Sequence, residues 1–241
     1  MSKIITISRE FGSGGRELGK RLAEELGIPC YDYQIIEMVA EKQGLDKDYV
    51  ENAAERDIRA FYPTTIGVRF SASTFFINQS VELFTEQTKV IRELASKGDC
   101  VIVGRCADVL LNNEQLLNIF VYADKDSKIK RCKERAKPGE ALTDKDIEKK
   151  MKEIDKGRAD LRKMLADTAW GDKEGYHLMV NTSGKEIKSL VPGLAAYAKA
   201  YFSSAECWML SAELRKPFGL DYNYYWIKKL HPIIFSWYFK W

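Results

Sequence analysis

The sequence predicts an α/β fold built on a parallel sheet, and three observations point to it. Short apolar runs without polar alternation recur along the chain, as in strands that are covered on both faces. Helical patterns separate these runs. The first run leads into a glycine-rich turn, a helix and a second run, an order that defines a βαβ unit with a right-handed crossover.

The first apolar run covers residues 4–7, and the glycine-rich turn Gly-Ser-Gly-Gly follows at residues 12–15. Glycines permit positive φ and leave backbone amides uncovered where the next helix begins, and the helix dipole favours a phosphate there. The pattern G-x-x-x-x-G-K-[ST] is not met, because Arg16 and Glu17 stand where the lysine and the hydroxyl residue are expected. The stretch predicts a phosphate-binding loop, and the alternative is a tight turn without a ligand.

The first helix is expected to end at Gly27, before a second strand near residues 29–32. Asp32 then lies at the carboxyl end of that strand, the sheet edge where α/β proteins bind ligands. We expect Asp32 either to contact a ligand or to cap the helix that begins near Tyr33.

Residues 33–98 read as a helical insertion beside the sheet. One helix is expected from Asp46 through Arg56 and another over residues 74–97, with an aromatic turn at residues 61–67 between them. Scattered arginines here either face an anionic ligand or are solvated: Arg56, Arg59 and Arg69.

The third apolar run, residues 100–104, ends directly before Arg105. Gly104 permits close backbone approach, so Arg105 is placed to fork onto a phosphate or a carboxylate in the cleft. The alternative is an ion pair with a surface acid. Residues 116–122 predict a fourth strand, and Asp124 is expected to cap the following helix.

Residues 127–165 predict a lid of two antiparallel helices. A turn at residues 138–140 separates the helices, and Thr143 with Asp146 is expected to begin the second. Each helix carries two arginines four residues apart, hence on one face: Arg131 with Arg135, and Arg158 with Arg162. Such a lid would position and neutralise a transferring phosphoryl group. The alternative is a solvated hairpin whose arginines pair with its own acids.

Composition excludes several classes of function. With 38 basic and 35 acidic residues the net charge is only +3, so the chain lacks the electrostatic footprint of a nucleic-acid-binding protein. The five cysteines show no metal-ligand spacing, so we expect no metal centre and a cytoplasmic location.

His177 falls within the predicted fifth strand, residues 176–181, so no Ser/His/Asp arrangement is credible. Thr182 and Ser183 are expected to cap a last helix that runs to about residue 201.

Residues 202–241 form an extension rich in aromatic residues and lysine. It is a candidate surface for a second copy of the chain or another protein partner, and the alternative is packing on its own domain. We expect no membrane contact, because Pro217 and Pro232 prevent one continuous amphipathic helix.

Several motifs resemble the cytidylate-kinase-like family, a branch of the P-loop nucleoside monophosphate kinases, over about residues 3–199. They are Ile-Thr-Ile-Ser-Arg-Glu-Phe-Gly-Ser-Gly-Gly-Arg-Glu at residues 5–17, Val-Ile-Val-Gly-Arg at residues 101–105, and Trp-Gly-Asp at residues 170–172. The resemblance implies a three-layer P-loop kinase fold with a five-stranded parallel sheet, in residues 1–201. It further implies that residues 33–98 are the monophosphate-binding insertion, that residues 127–165 are an arginine-rich lid, and that ATP phosphorylates CMP, dCMP or a related monophosphate with Mg²⁺.

The resemblance also assigns roles to individual residues. Arg105 would hold the acceptor phosphate, with Asp32 and Asp108 as further substrate contacts. The ATP phosphates would be bound by the glycine loop, namely by Gly12, Ser13, Gly14, Gly15, Arg16 and Glu17. The transferring group would be neutralised by five arginines: Arg16, Arg131, Arg135, Arg158 and Arg162.

Three departures from the family pattern stand out. Gly15 occupies the place of the P-loop lysine in true cytidylate kinases, which leaves Arg16 or Arg9 as its replacement. Glu17 replaces the hydroxyl residue that helps to hold Mg²⁺. Cys106 stands where an acid directly follows Gly-Arg, and Asp108 comes two residues later, so the base preference is open. Two other functions therefore remain: a non-catalytic nucleotide- or anion-binding protein, and an interaction protein that acts through residues 202–241.

Overall fold

The computed structural model describes residues 2–45, 70–111, 115–136 and 143–215. Five strands occur in this part of the chain, and they form one parallel sheet in the order β2-β3-β1-β4-β5. The strands are β1 (Ile4–Arg9), β2 (Cys30–Tyr31), β3 (Cys100–Val103), β4 (Leu116–Tyr122) and β5 (Leu178–Asn181).

Seven α-helices accompany the sheet within the same described ranges. They are α1 (Gly15–Leu26), α2 (Tyr33–Gln43), α3 (Phe70–Ser96), α4 (Ala107–Leu110), α5 (Lys125–Glu134), α6 (Asp144–Leu165) and α7 (Ile187–Arg215). A single turn of 3₁₀ helix covers Lys173–Gly175. The predicted three-layer α/β architecture with a five-stranded parallel sheet is confirmed.

Strand β1 lies at the centre of the sheet, where it pairs with β3 on one side and β4 on the other. All six of its residues are buried, and so are all four of β3. Burial on both faces explains why these segments read as continuous apolar runs rather than alternating ones. Three residues of β1 are polar, Thr6, Ser8 and Arg9, and the hydroxyl of Thr6 donates a 2.8 Å hydrogen bond to Asn118 Oδ1 on β4.

Helices α2 and α3 pack against the β3 side of the sheet through one apolar cluster, which includes Ile35, Val39, Val90, Ile91 and Ile102. Both helices belong to the segment predicted as a helical insertion. The predicted helix from Asp46, the aromatic turn at residues 61–67 and the arginines at positions 56, 59 and 69 lie outside the described residues, as does the turn at residues 138–140.

Side-chain caps begin two helices where the sequence predicts them. The carboxylate of Asp124 accepts a 2.7 Å hydrogen bond from the backbone amide of Ser127 at the start of α5. At the start of α6, Thr143 Oγ1 accepts from the amide of Asp146, and the Asp146 carboxylate accepts from the amide of Thr143. This reciprocal pair is a capping box.

The prediction was wrong at the start of the last helix, which begins at Ile187 and not directly after Thr182 and Ser183. Both hydroxyls are engaged elsewhere. Thr182 Oγ1 donates to the carbonyl of Ser13, 2.7 Å away, and Ser183 Oγ donates to Asn181 Oδ1, 2.6 Å away. The turn after β5 is thus fastened to the glycine loop and does not cap a helix.

The chain divides into two compact units, residues 1–198 and 199–241. All five strands belong to the first unit. None of the helices in the described ranges combines the length and the apolar character that crossing a bilayer requires.

Candidate functional site

The loop between β1 and α1 has the backbone that its glycines predict. Gly12 and Gly14 adopt left-handed conformations, with φ of 75° and 85°. A Cβ on Gly14 would lie 2.5 Å from Cδ1 of Ile187, so a side chain there would displace Ile187 and would also strain the backbone at this φ. Helix α1 begins at Gly15, and its N-terminus favours an anion at the mouth of the loop.

Side chains from helices α5 and α6, and a backbone amide that follows β4, hold this loop. The carboxylate of Glu10 accepts a 3.2 Å hydrogen bond from the amide of Ala123 and a 2.9 Å bond from Lys128 Nζ. The amide of Phe11 donates to Asp155 Oδ1 on α6, 2.7 Å away. Burial raises the pKa of the Asp155 carboxyl above its usual range, although the Phe11 amide and the charge of Arg158 oppose that rise.

Arg131 braces the loop from the side of β5. Its guanidinium donates to the carbonyl of Lys185 at 3.1 Å, to Thr182 Oγ1 at 3.2 Å and to the carbonyl of Ser13 at 3.4 Å. Burial lowers the pKa of this guanidinium, as does the neighbouring charge of Arg135. Arg131 therefore fixes the backbone of the loop.

Arg135 and Glu17 form an ion pair with each other. Glu17 also accepts a 2.9 Å hydrogen bond from Nε of Arg21, one turn further along α1. The predicted lid arginine and the predicted ATP-binding carboxylate thus neutralise each other's charge.

A cavity opens at the carboxyl ends of β1 and β3 and has a volume of about 40 Å³, room for about three water molecules or one group of phosphate size. Four arginines line it, and none of its lining residues is acidic: Ser8, Arg9, Gly104, Arg105, Cys106, Arg158, Leu161, Arg162 and Trp170. Arg9, Arg105 and Arg162 are each less than a tenth exposed. Buried guanidinium groups around one small cavity favour an anion in it. We call this cavity the arginine pocket.

The backbone beside the arginine pocket is strained. Gly104, Arg105 and Cys106 adopt left-handed conformations in succession, with φ of 78°, 60° and 50°. For the two residues with side chains this conformation costs on the order of 1 kcal/mol each, and such strain concentrates at functional sites. Burial, together with the charge of Asp108, raises the pKa of the Cys106 thiol to about 12, against the opposing effect of three arginines.

Arg162 is held in place by Asp108, with which it forms a fully buried ion pair. Its Nε and Nη2 donate to the carbonyl and the hydroxyl of Thr168 at 3.2 Å and 2.9 Å, and its guanidinium lies 4.8 Å from the ring centre of Tyr176. Burial acts to lower the pKa of this guanidinium, but the hydrogen bond and the charge of Asp108 outweigh burial and raise it.

Arg158 contacts the strand end directly. Its Nη1 donates to the carbonyl of Arg9 at 3.0 Å and to Asp155 Oδ1 at 3.2 Å. Helix α6 therefore contributes two arginines to the pocket, each in a fixed position.

Asp32 takes the ligand-edge position that the sequence predicts, and it is also the N-cap residue of α2. It precedes α2 but its side chain makes no capping hydrogen bond. Its carboxylate lies 2.5 Å from Nε of Arg16 and 3.9 Å from Nη2 of Arg9. The Arg16 guanidinium also lies 4.1 Å from the ring centre of Tyr33, and its side chain is nearly half exposed.

The structure brings only some of the predicted residues together. Arg105, Arg158 and Arg162 share the arginine pocket, whereas Arg131 and Arg135 contact the loop elsewhere. The pocket is also lined by Arg9, which the sequence indicated only as one of two candidates to replace the P-loop lysine. The sequence signal for it is a charged residue at the end of an otherwise apolar strand. Trp170, known from the sequence only as part of a motif, also lines the pocket.

The sequence profile of the cytidylate kinase-like family matches residues 4–184. Among solved structures, an uncharacterized protein from Eubacterium ventriosum is 28% identical, with a TM-score of 0.59 and coverage of 81% of this chain and 98% of that one. A shikimate kinase from Bacteroides thetaiotaomicron has the same fold, with a TM-score of 0.50 at 14% identity, and the match covers 83% of this chain and 99% of that one. A comparison with curated protein sequences finds no match.

Proposed function

We propose that this chain, which belongs to the cytidylate kinase-like family, transfers the γ-phosphoryl group of ATP to a nucleoside monophosphate, CMP or dCMP being the first choice. The observation that carries the proposal is the arginine pocket. Four guanidinium groups surround a cavity of phosphate size, beside a glycine loop at the same edge of the sheet.

On the donor side, the glycine loop fits the phosphates of ATP. Its left-handed glycines remove side chains from the mouth of the loop, and the N-terminus of α1 adds its dipole. The residues fit Mg²⁺ less well. Glu17 replaces the hydroxyl ligand and is paired with Arg135 and Arg21, and the described residues contain no cluster of three or more metal-ligating His, Cys, Asp or Glu. We therefore assign no protein ligand to Mg²⁺.

On the acceptor side, Arg105 would hold the phosphate of the monophosphate in the pocket. Arg158 and Arg162 would neutralise the charge that spreads over the transferring group. Phosphoryl transfer requires mainly alignment, charge neutralisation and exclusion of water. The buried contacts of Arg162 and Arg158 fix both groups before a ligand arrives.

A second function is favoured by one observation. Because the loop has no lysine and carries Glu17, paired with Arg135, in place of the hydroxyl residue that helps to hold Mg²⁺, the site would retain anion binding without chemistry. The chain would then be a nucleotide- or anion-binding protein. Action through residues 202–241, and the cytoplasmic location, stay predictions from the sequence.

The test is a panel of acceptors with ATP and Mg²⁺, read by product formation and by melting temperature together. The panel contains the common nucleoside monophosphates and shikimate, the substrate named for the structural neighbour. We expect product with at least one monophosphate, and a loss of roughly 10- to 100-fold in kcat/KM for the acceptor in Arg105→Ala.

Arg92→Ala is the matched control, since Arg92 is exposed and α3 ends four residues before β3 begins, at the opposite edge of the sheet. Stabilisation by ATP without any product would favour the non-catalytic function. Product from shikimate and from none of the monophosphates would contradict a nucleotide acceptor.

A further inference from the structure

Arg9 and Gly15 fit together sterically as one unit. The two residues face each other across the start of the glycine loop, one at the end of β1 and the other at the first position of α1. A Cβ built on Gly15 would lie 2.4 Å from Cβ of Arg9 and 3.0 Å from its Cγ. Non-bonded carbon atoms do not approach within 3.0 Å, so a side chain at position 15 requires the backbone or the Arg9 side chain to move.

Gly104 extends the same steric relation to the other end of the Arg9 side chain. A Cβ on Gly104 would lie 1.5 Å from Nη1 of Arg9 and 2.6 Å from its Cζ. The Arg9 side chain thus runs from Gly15 on the loop to Gly104 at the end of β3. Its guanidinium lies in the arginine pocket, where Arg105, Arg158 and Arg162 are its neighbours.

In a gapless match to true cytidylate kinases, position 15 corresponds to their P-loop lysine, the residue that reaches the β- and γ-phosphates. In this chain Arg9 fills the space into which a side chain at position 15 would extend. Arg16, the other candidate, is turned toward Asp32 and Tyr33 and is nearly half exposed. Arg9 is 8% exposed and so is shielded from bulk water, which strengthens its attraction for an anion.

We infer that Arg9 is the phosphate-binding cation of this loop and replaces the missing lysine from the strand side. Its guanidinium would contact the terminal phosphates of ATP where the loop meets the arginine pocket, and Asp32 would balance part of its charge through the 3.9 Å contact. The inference deepens the proposed function, on which it rests for the identity of the donor. Its steric part stands on the distances alone.

The first experiment separates charge from packing. Arg9→Met keeps an unbranched apolar stem and removes the guanidinium. Binding of inorganic tripolyphosphate and of ATP, measured by calorimetry without an acceptor, should weaken roughly 10- to 100-fold, as expected for loss of a charge-assisted hydrogen bond. Arg92→Met is the matched control and should bind as the wild type does.

The second experiment exchanges the two positions. Gly15→Lys alone should lower the melting temperature by roughly 3–10 °C, because the new side chain collides with Arg9. The double variant Arg9→Gly with Gly15→Lys removes that collision and moves the cation to the helix. It should melt higher than Gly15→Lys and bind tripolyphosphate more tightly than Arg9→Gly.

Several outcomes would overturn the inference. Tripolyphosphate affinity of Arg9→Met within about twofold of wild type would exclude Arg9 as the cation, and absence of binding to the wild-type chain would do the same. Exchange variants that fail to fold leave Arg9→Met as the deciding measurement. A wild-type chain that binds tripolyphosphate through Arg9 but phosphorylates no monophosphate would contradict only the proposed function.

Discussion

The arginines of the pocket are held in position by residues that the ligand need not touch. Arg162 is fixed by Asp108, Thr168 and Tyr176, and Arg158 by a carbonyl of β1 and by Asp155. Such contacts remove the need to reorganise long side chains when an anion enters, which is the physical basis of electrostatic preorganisation. Removing one of these partners should therefore affect stability and binding together.

Asp108→Asn should destabilise the protein by about 3 kcal/mol, because Arg162 would remain buried without its counter-charge. Urea unfolding at neutral pH measures the loss. Asp167→Asn, at an exposed position, is the control and should change the free energy of unfolding by less than about 0.5 kcal/mol.

Replacement of both partners should separate the two roles. Asp108→Leu with Arg162→Met should recover most of the lost stability, since an apolar pair of similar volume no longer leaves a charge buried. It should not recover anion affinity. An unchanged urea midpoint in Asp108→Asn would show that the buried pair contributes little.

The rate at which Cys106 is alkylated, measured as a function of pH, tests the raised pKa of its thiol. Its pKa of about 12 means that the reactive thiolate is scarce near neutrality in the folded protein. Alkylation by iodoacetamide, followed by mass spectrometry of the Cys106 peptide, should accelerate roughly tenfold per pH unit between pH 7 and 9, with no plateau. The urea-unfolded chain should approach its plateau near pH 9, and a plateau below pH 9 in the folded chain would contradict the raised pKa.

At the level of residues, the sequence predicted which arginines share a helix face but not what each would contact. Spacing of four places Arg131 with Arg135 and Arg158 with Arg162, yet only the second pair lines the pocket. Partner choice depends on tertiary neighbours: Arg131 meets the carbonyl of Ser13, and Arg135 meets Glu17. Neither neighbour is local in sequence, so no local pattern could have identified it.

Among the structural elements, those with a strong local signal were predicted well. The strand at residues 116–122 was predicted with its observed bounds, because an apolar run between turn residues leaves few alternatives. The cap of the last helix was not, because Thr182 and Ser183 have other partners. A hydroxyl residue before a helix indicates that a cap can form, but a better tertiary acceptor decides whether it does.

The capping box of α6 gives a prediction for one element. Thr143→Ala removes the oxygen that accepts from the amide of Asp146, and should lower the free energy of unfolding by about 1 kcal/mol, or the melting temperature by roughly 2–4 °C. Thr143→Ser keeps the oxygen and should unfold close to wild type. Equal losses in the two variants would attribute the effect to the lost methyl group rather than to the cap.

For the whole molecule, the site is assembled at one sheet edge from distant parts of the first unit. The glycine loop, the arginine pocket and their supporting contacts involve residues between Ser8 and Ile187. The sequence could predict this common edge, because every strand of a parallel sheet points its carboxyl end the same way. It could not predict that Arg9 spans the distance between the loop and β3, which depends on the packing of two glycine-containing turns, those of Gly15 and Gly104.

Deletion of residues 203–241 tests whether the C-terminal extension contributes to anion binding or to self-association. We expect the shortened chain to bind tripolyphosphate within about twofold of the full chain, since the site residues lie before Ile187. We also expect any self-association to be lost, because aromatic residues are concentrated in the extension. Light scattering measures the number of chains per particle, and an unchanged number would favour packing of the extension within one chain. Binding to lipid vesicles, compared between the full and the shortened chain, tests the expected lack of membrane contact.

The collision between positions 9 and 15 also limits how such a loop can evolve. In a lineage that starts from this sequence, a lysine at position 15 destabilises the loop while Arg9 remains, because the two Cβ atoms would be 2.4 Å apart unless the backbone or Arg9 moved. Losing Arg9 first leaves the loop without its cation. Substitutions at the two positions should therefore be coupled, and we expect related sequences to carry glycine at position 9 wherever position 15 bears a side chain.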